Sequence, residues 1–310
     1  MKVINSIQDI PEELHGSVVT IGNFDGVHLG HQAIFRQVVE EAHKTNRHAV
    51  VITFDPHPKM ILHPERRPFY LITTIEEKIA LIAETGIDAL IVIPFSLTFA
   101  GTTAGEFVCD ILWNKLRISK IIIGHDYTFG RNREGNEAFL AAYGKKMGFA
   151  VEVIQAFRIK ETIISSTRVR NALLAGQVRL ASEWLGRPYN LAGTVIHGHQ
   201  RGAGLGFPTA NIKPVKELLP PDGVYAVIVR MNAKCYQGVL NIGNNPTFGD
   251  MSRSVEAFIF DFKGDIYDKG IEVLFVDQIR PEIKFDSPEK LIAQINRDIA
   301  QAKDLLKRMQ

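Results

Sequence analysis

Cysteine is scarce. Cys109 and Cys235 are the two in 310 residues and stand in unrelated contexts. A pair so placed supplies neither a disulfide framework nor a metal-ligand motif. A reducing, cytoplasmic compartment is the expectation. Long apolar runs are also missing. The most apolar stretch, residues 89–100, is interrupted by Pro94, Ser96 and Thr98 and is too short to cross a bilayer. The opening MKVINSIQDIPEEL lacks the apolar centre of a secretory signal. Charge of one sign is missing too. The formal net charge is +2, which gives no reason to expect a nucleic-acid or membrane partner. Self-association leaves no readable linear signal. What remains is a chain long enough for two domains, each with its own core.

The richest stretch is residues 17–31, SVVTIGNFDGVHLGH. Its β-branched run to Ile21 reads as a buried strand that ends at Gly22. Gly26 and Gly30 punctuate the turn that follows, and helix-compatible sequence occupies residues 32–42. A strand, a glycine-containing turn and a helix start present backbone N–H groups to phosphate. Gly22, Asn23, Phe24 and Gly30 are therefore candidate nucleotide contacts. His28 and His31, three apart, point roughly the same way, and each ring can donate an N–H bond to a phosphate oxygen without a metal. Ordinary surface histidines are the plainer alternative, and the flanking GNFDG weighs against it. A zinc site lacks a third ligand at suitable spacing.

Strand-like and helix-like runs alternate over the first half. Strands are expected at 48–54, 89–93, 120–123 and 150–154, and helices at 71–85, 104–116 and 134–147. That rhythm predicts a parallel sheet covered on both faces, with ligands at the carboxyl ends of its strands. Three loops there carry polar or aromatic chemistry. Phe54-Asp55-Pro56-His57-Pro58 is stiffened by two prolines, and Phe54 is either a stacking ring or part of a plain rigid turn. Gly124-His125-Asp126-Tyr127-Thr128-Phe129-Gly130 precedes Arg131 and Arg133, and Phe129 reads best as a core plug. Ser165-Ser166-Thr167 leads through Arg168 into a short helix, residues 169–174, with Arg170 in its first turn. One hydroxyl suffices as a helix cap. Three hydroxyls with an arginine suit phosphate anchoring.

Residues 186–189, Gly-Arg-Pro-Tyr, read as a linker between domains at 1–185 and 186–310. Beyond it strand-like runs at 191–196, 223–231, 235–242, 254–260 and 271–276 follow one another without helices. This pattern predicts a small antiparallel barrel or sandwich. The last helix is capped by Ser287, begins at Pro288, and carries Leu291, Ile295, Ile299 and Leu306 as its stripe. Residues 198–211 place four glycines, the last being Gly206, before Thr209 and Asn211. The loop is either a phosphate wrap or a mobile surface loop, and it is not a Walker motif. Asn241, at a strand end, suits adenine or phosphate. Glu256 lies among Val255, Ala257 and Phe258, turned either to solvent or into a site.

GNFDGVHLGHQ resembles the His-x-Gly-His signature of the nucleotidyltransferase superfamily, in the version found in prokaryotic FAD synthetases. FDPHP, the 124–130 loop (with Tyr127 for the usual Phe) and ISST-R at 164–170 resemble further motifs of that family, in the same order. LGFPTANI (205–212), PPDGVYA, GVLNIGNNPTF and the 255–273 segment resemble riboflavin kinase. The resemblance implies a Rossmann-like nucleotidyltransferase domain followed by a β-barrel kinase domain. It implies two ATP-dependent reactions, riboflavin to FMN in the second half and FMN to FAD with release of pyrophosphate in the first. It assigns His28 and His31 to the ATP phosphates, and Asp126, Ser166, Thr167 and Arg170 to the nucleotide. The flavin loop falls at Phe54, Asp55, Pro56, His57 and Pro58. Mg²⁺ falls on Thr209 and Asn211, and the catalytic base is Glu256. A further phosphate contact falls on Arg66 or Arg67, and flavin contacts of the kinase half fall near 279–287. Ala203-Gly204 stands where the family often has Arg-Thr, and Asp268 where it commonly has Gly. Two other readings differ in class: a flavin-binding relative without activity, and a first half acting on RNA, as in class I tRNA ligases. The intact motifs weigh against the first, and the absence of a basic patch against the second.

Overall fold

A computed structural model describes residues 1–66, 68–197, 206–232, 234–244 (Asn244 by its backbone) and 253–307. The chain divides into two compact units. One comprises Met1–Phe69 with Thr73–Ser166, the other Tyr70–Ile72 with Thr167–Gln310.

In the first unit six strands form one parallel sheet: β1 (Lys2–Ile4), β2 (Val18–Ile21), β3 (Ala49–Asp55), β4 (Ala89–Pro94), β5 (Lys120–Gly124) and β6 (Ala150–Ile154), in the order β1-β4-β3-β2-β5-β6. Register is set by pairs such as Val18 with Ala49 and Val18 with Lys120. Alternate residues of each strand enter different cores, as a sheet covered on both faces requires. Val19, Ile21, Val50, Ile52, Ile91 and Ile121 pack with Phe107, Leu112 and Leu140. Val18, Val51, Leu90 and Ile122 pack with Phe35, Val38 and Ile82. The latter three lie on α1 (Leu29–Lys44) and α3 (Ile75–Ala83), which are separated in sequence by the short α2 (Pro58–Leu62). The chain passes from β2 to β3 on one side and later returns beside β2 with β5. The carboxyl end of β2 is therefore the switch point where such sheets bind ligands.

The expected parallel sheet is present, with local differences. The helix expected over 71–85 begins at Ile75, because Thr74 and Glu77 form a reciprocal capping box. The helix expected over 104–116 consists of α5 (Ala104–Glu106), after the short α4 (Leu97–Ala100), and a π-helical stretch, Phe107–Lys115. There Leu116 N bonds Ile111 O at 3.2 Å. α6 (Glu137–Met147) starts where Asn136 accepts from Phe139 N and ends at Gly148, φ 89°. β1 and a hairpin of two-residue strands, β7 (Arg158–Ile159) and β8 (Thr162–Ile163), are too short to carry a periodic signal.

The second unit holds α7 (Ser166–Leu174, of which Ser166 belongs to the first), α8 (Val178–Leu185) and six antiparallel strands. These are β9 (Asn190–Ile196), β10 (Ala210–Pro214), β11 (Gly223–Met231), β12 (Lys234–Asn244), β13 (Arg253–Ile259) and β14 (Gly270–Pro281). They close as β10-β13-β12-β11-β14-β9. Leu191, Val195, Ile212, Tyr225, Val227, Leu240, Ile242, Val255, Ala257, Val273 and Phe275 share one core with Val169, Leu173, Val178 and Leu185. Val224, Ala226, Val239, Phe260 and Val276 form another with Ala302 and Leu306 of α9 (Pro288–Lys307). Tyr189, expected in a linker, is instead 1% exposed. Its hydroxyl donates to Leu218 O at 2.7 Å and Lys216 Nζ sits 4.6 Å over its ring. The fully buried face of α9 includes Asp298 and Ala302, where the sequence stripe ran through larger residues.

Candidate active sites

Gly22 N continues the sheet by donating to Ile52 O at 3.1 Å, and the chain then turns sharply, with Phe24 at φ 48° and Val27 at φ 42°. Glycine at 22 is required by close approach: a Cβ there would lie 2.9 Å from the Phe24 ring. Phe24, 4% exposed, meets Phe35 at 4.8 Å and the His31 ring edge-on at 5.1 Å. His28 caps α1, its Nδ1 accepting from His31 N at 3.3 Å. A neutral His28 therefore carries its proton on Nε2. The two imidazoles stack at 3.6 Å with an interplanar angle of 22°. A Cβ on Gly30 would come within 3.1 Å of the His28 ring.

His31 Nδ1 is buried with no hydrogen-bond partner among the described residues. Burial first, then electrostatic coupling to His28 and to the Lys78 ammonium, push the His31 pKa well below the usual histidine value. A neutral imidazole at this place still has one N–H to give to a phosphate oxygen. Asp25 is 1% exposed. Its carboxylate accepts from Thr73 N at 3.2 Å and Thr73 Oγ1 at 3.4 Å, while Thr73 Oγ1 accepts from Gly26 N at 3.1 Å. Ser166 Oγ donates to Asp25 O at 2.9 Å. The structure thus joins two motifs 141 residues apart in the chain, and Ser166 uses its hydroxyl on that carbonyl.

In the 54–58 loop Phe54 packs against Phe95 and Phe99, with centroids at 5.7 and 6.1 Å. His57 Nδ1 accepts from Lys59 N at 3.1 Å, so His57 caps α2, and Pro58 is its first residue. Asp55 and Pro56 are exposed. Asp126, beyond β5, is exposed with Oδ1 3.9 Å from His125 Nδ1. Tyr127 stacks on Phe129 at 5.6 Å, burial raises its hydroxyl pKa, and Phe129 fills the core as expected. Arg66 is exposed beside Glu65, and Arg67 lies outside the described residues. In the second unit Thr167 is exposed, while Arg170 is 8% exposed with Nε donating to Tyr70 O at 2.6 Å.

Sequence reasoning missed Thr53, Thr73 and Lys78. Thr53 Oγ1 donates to Asn23 O at 3.2 Å and stands 3.5 Å from Lys78 Nζ. Lys78 shares its helix face with Ile75, Ile79 and Ile82. A lysine at a core position was the available signal.

In the barrel, Glu256 on β13 stands opposite Asn211 of β10 and Asn241 of β12. Val255 and Ala257 enter the core, so alternation turns Glu256 to the barrel's outer face. Thr209 Oγ1 donates to Glu256 Oε2 at 3.2 Å. Hydroxyl, amide and carboxylate oxygens fit a hard divalent cation. No trio of His, Cys, Asp or Glu suited to a metal occurs among the described residues. Gly206 lies exposed at φ 87°. The glycine-rich residues 198–205, Ala203-Gly204 among them, and Asn245 to Phe248 of the GVLNIGNNPTF segment lie outside the described residues. Asp268 adopts φ 61°, which accounts for a position that glycine also fills, since aspartate tolerates the left-handed region better than most residues.

The FAD synthetase family pattern matches residues 10–168 and the riboflavin kinase pattern residues 185–306. A bifunctional riboflavin kinase/FMN adenylyltransferase of Haemophilus influenzae is 39% identical over 304 residues, 98% of each chain. The enzyme of that name from Escherichia coli K12 is 38% identical over 308 residues, 98% of this chain and 97% of the other. A Streptococcus pneumoniae crystal structure, described as a macrolide-efflux protein, is 35% identical with a TM-score of 0.88, over 97% of this chain and 98% of that one. Among the described residues of this chain no helix is long and apolar enough to cross a membrane. The two patterns in order, and relatives alike from end to end, show that the chain belongs to the bifunctional riboflavin kinase/FMN adenylyltransferase family.

Proposed function

We propose that residues 186–310 phosphorylate riboflavin with Glu256 as base, and that residues 1–185 adenylylate the resulting FMN around His28 and His31. The observation that carries this reading is the placement of Glu256 between Asn211 and Asn241, with Thr209 on its carboxylate. A ribityl 5′-hydroxyl is a weak nucleophile. Glu256 accepts its proton as the oxygen attacks the γ-phosphorus of ATP, and ADP leaves. Thr209 and Asn211 would hold Mg²⁺, which when bound neutralises phosphate charge. Gly206 and Asn241 line the nucleotide.

FMN needs no base, because its phosphate is already an anion. Its oxygen attacks the α-phosphorus of a second ATP in line and pyrophosphate departs, so the protein's work is positioning and charge stabilisation. Neutral His31 and the Nε2–H of His28 donate to the phosphates. Ser166 steadies the turn through its bond to the Asp25 carbonyl, Gly22, Asn23, Phe24, Gly30 and Asp126 contact the nucleotide, and the 54–58 loop lines the flavin. A cytoplasmic location suits an enzyme with two free cysteines and ATP as substrate.

The test follows the flavins by chromatography after riboflavin, ATP and Mg²⁺ are added. Glu256→Gln should lower FMN formation by about 10²–10⁴-fold, while supplied FMN still becomes FAD. Unchanged FMN formation removes Glu256 from its role.

A further inference from the structure

Lys78 is 5% exposed on the apolar face of α3. The only side-chain hydrogen bond it makes among the described residues is a long one, Nζ to Thr53 Oγ1 at 3.5 Å. A buried ammonium with one long hydrogen bond is costly even beside carboxylates, and a packed apolar side chain usually serves stability better. Stability alone therefore does not explain a lysine here. Its surroundings do. The Thr53 hydroxyl in turn donates a hydrogen bond to the carbonyl of Asn23, within GNFDG. The charged and titratable groups that face the ammonium are Asp25, on the same turn, Asp55, at the end of β3, and His31 of the stacked pair. The field of one side chain thus reaches the phosphate turn, the flavin-side loop and the histidine pair, and its one hydrogen bond links it through Thr53 to the first of these.

We propose that Lys78 is a positioning residue for adenylyl transfer: through Thr53 it fixes the Asn23 carbonyl and hence the Gly22–Gly26 turn, and its buried charge complements the phosphates bound there. The inference rests on reading the Gly22–His31 turn as the adenylyl-transfer site. Lys78 acts through Thr53 and through its field. That field also works against protonation of His31, which keeps the imidazole a neutral donor.

Lys78→Met retains length and removes the charge. With FMN and ATP supplied, it should lower kcat/KM for ATP in FAD formation by about 100-fold, the effect of a misplaced site. Riboflavin phosphorylation by the same protein should stay within about twofold. In NMR titration the His31 resonance should move to a higher pKa in Lys78→Met, which a purely structural role would not produce. Thr53→Val cuts the relay and keeps the charge. It should raise KM for ATP about tenfold without moving His31. His31→Ala is the control for the underlying reading. If His31→Ala leaves FAD formation intact, the site assignment fails. If His31→Ala abolishes it while Lys78→Met keeps wild-type kcat/KM and an unmoved His31, the Lys78 inference is overturned. Should Lys78→Met fail to fold, Thr53→Val decides: wild-type FAD formation there overturns the inference.

Discussion

His31 is held neutral chiefly by burial, and further by the Lys78 ammonium and by the repulsion that a charge on His28 would meet, and that has a measurable cost. The folded-state pKa lies below the unfolded value of about 6.5. As pH falls below about 6.5, the unfolded chain takes up a proton that the native site refuses, and stability falls by up to about 1.4 kcal/mol per pH unit until the native pKa is reached. Above that window the group contributes no pH dependence. The two tryptophans fall one in each unit, Trp113 in the first and Trp184 in the second. A Trp184→Phe background therefore lets Trp113 fluorescence follow the first unit alone. Between pH 7.5 and 5.5 its urea midpoint should fall more steeply with His31 present than with His31→Gln, and parallel curves would sink the argument. The histidines themselves were legible because strand, glycine turn and helix are contiguous at 17–31. Thr73 and Lys78 were not, because their importance arises only when residues 25, 53 and 78 meet in space. Glu256 lies between these cases. Its strand was readable, but its facing depends on the register that sets it opposite Asn211 and Asn241.

At the scale of elements, strands buried on both faces and a well-patterned terminal helix were readable, whereas three-residue and two-residue strands carry no period. The stripe of α9 was misread at one place with energetic consequence. Asp298, 3% exposed, receives Arg280 Nε at 3.0 and 3.1 Å, Arg280 Nη2 at 2.9 Å and Gln294 Nε2 at 2.7 Å. This pair ties α9 to β14, and pattern reading cannot see it because a charged residue in a seam is legible only with its partner. Asp298→Ala leaves the half-buried Arg280 guanidinium uncompensated and should cost about 3–5 kcal/mol. In a Trp113→Phe background, Trp184 fluorescence should report a lowered urea midpoint, while the first unit, followed through Trp113 in the complementary background, stays put. A midpoint unchanged within error would show the pair to be dispensable.

Across the whole molecule, the boundary drawn by packing lies at 166/167, so α7 and α8 share the barrel's core. Val169, Leu173, Val178 and Leu185 are each at most 1% exposed. At about 1.5–3 kcal/mol per buried side chain, these four contribute about 6–12 kcal/mol, comparable to the entire stability of a domain. A fragment of residues 186–310 therefore loses as much burial as it has stability to spare, and opens to water the part of the shared core that these helices cover. A fragment of residues 167–310 keeps both helices. It lacks only Tyr70–Ile72, whose carbonyls at Tyr70 and Ile72 accept from Arg170 Nε and Lys216 Nζ, and whose Ile72 side chain is 1% exposed in the same core. The longer fragment should melt cooperatively by circular dichroism, below the second unit of the full chain, and should phosphorylate riboflavin. The shorter one should bind a hydrophobic dye strongly and show no cooperative transition. Equal cooperativity in the two fragments would mean that the barrel closes over its own core without α7 and α8, and that their burial there adds little.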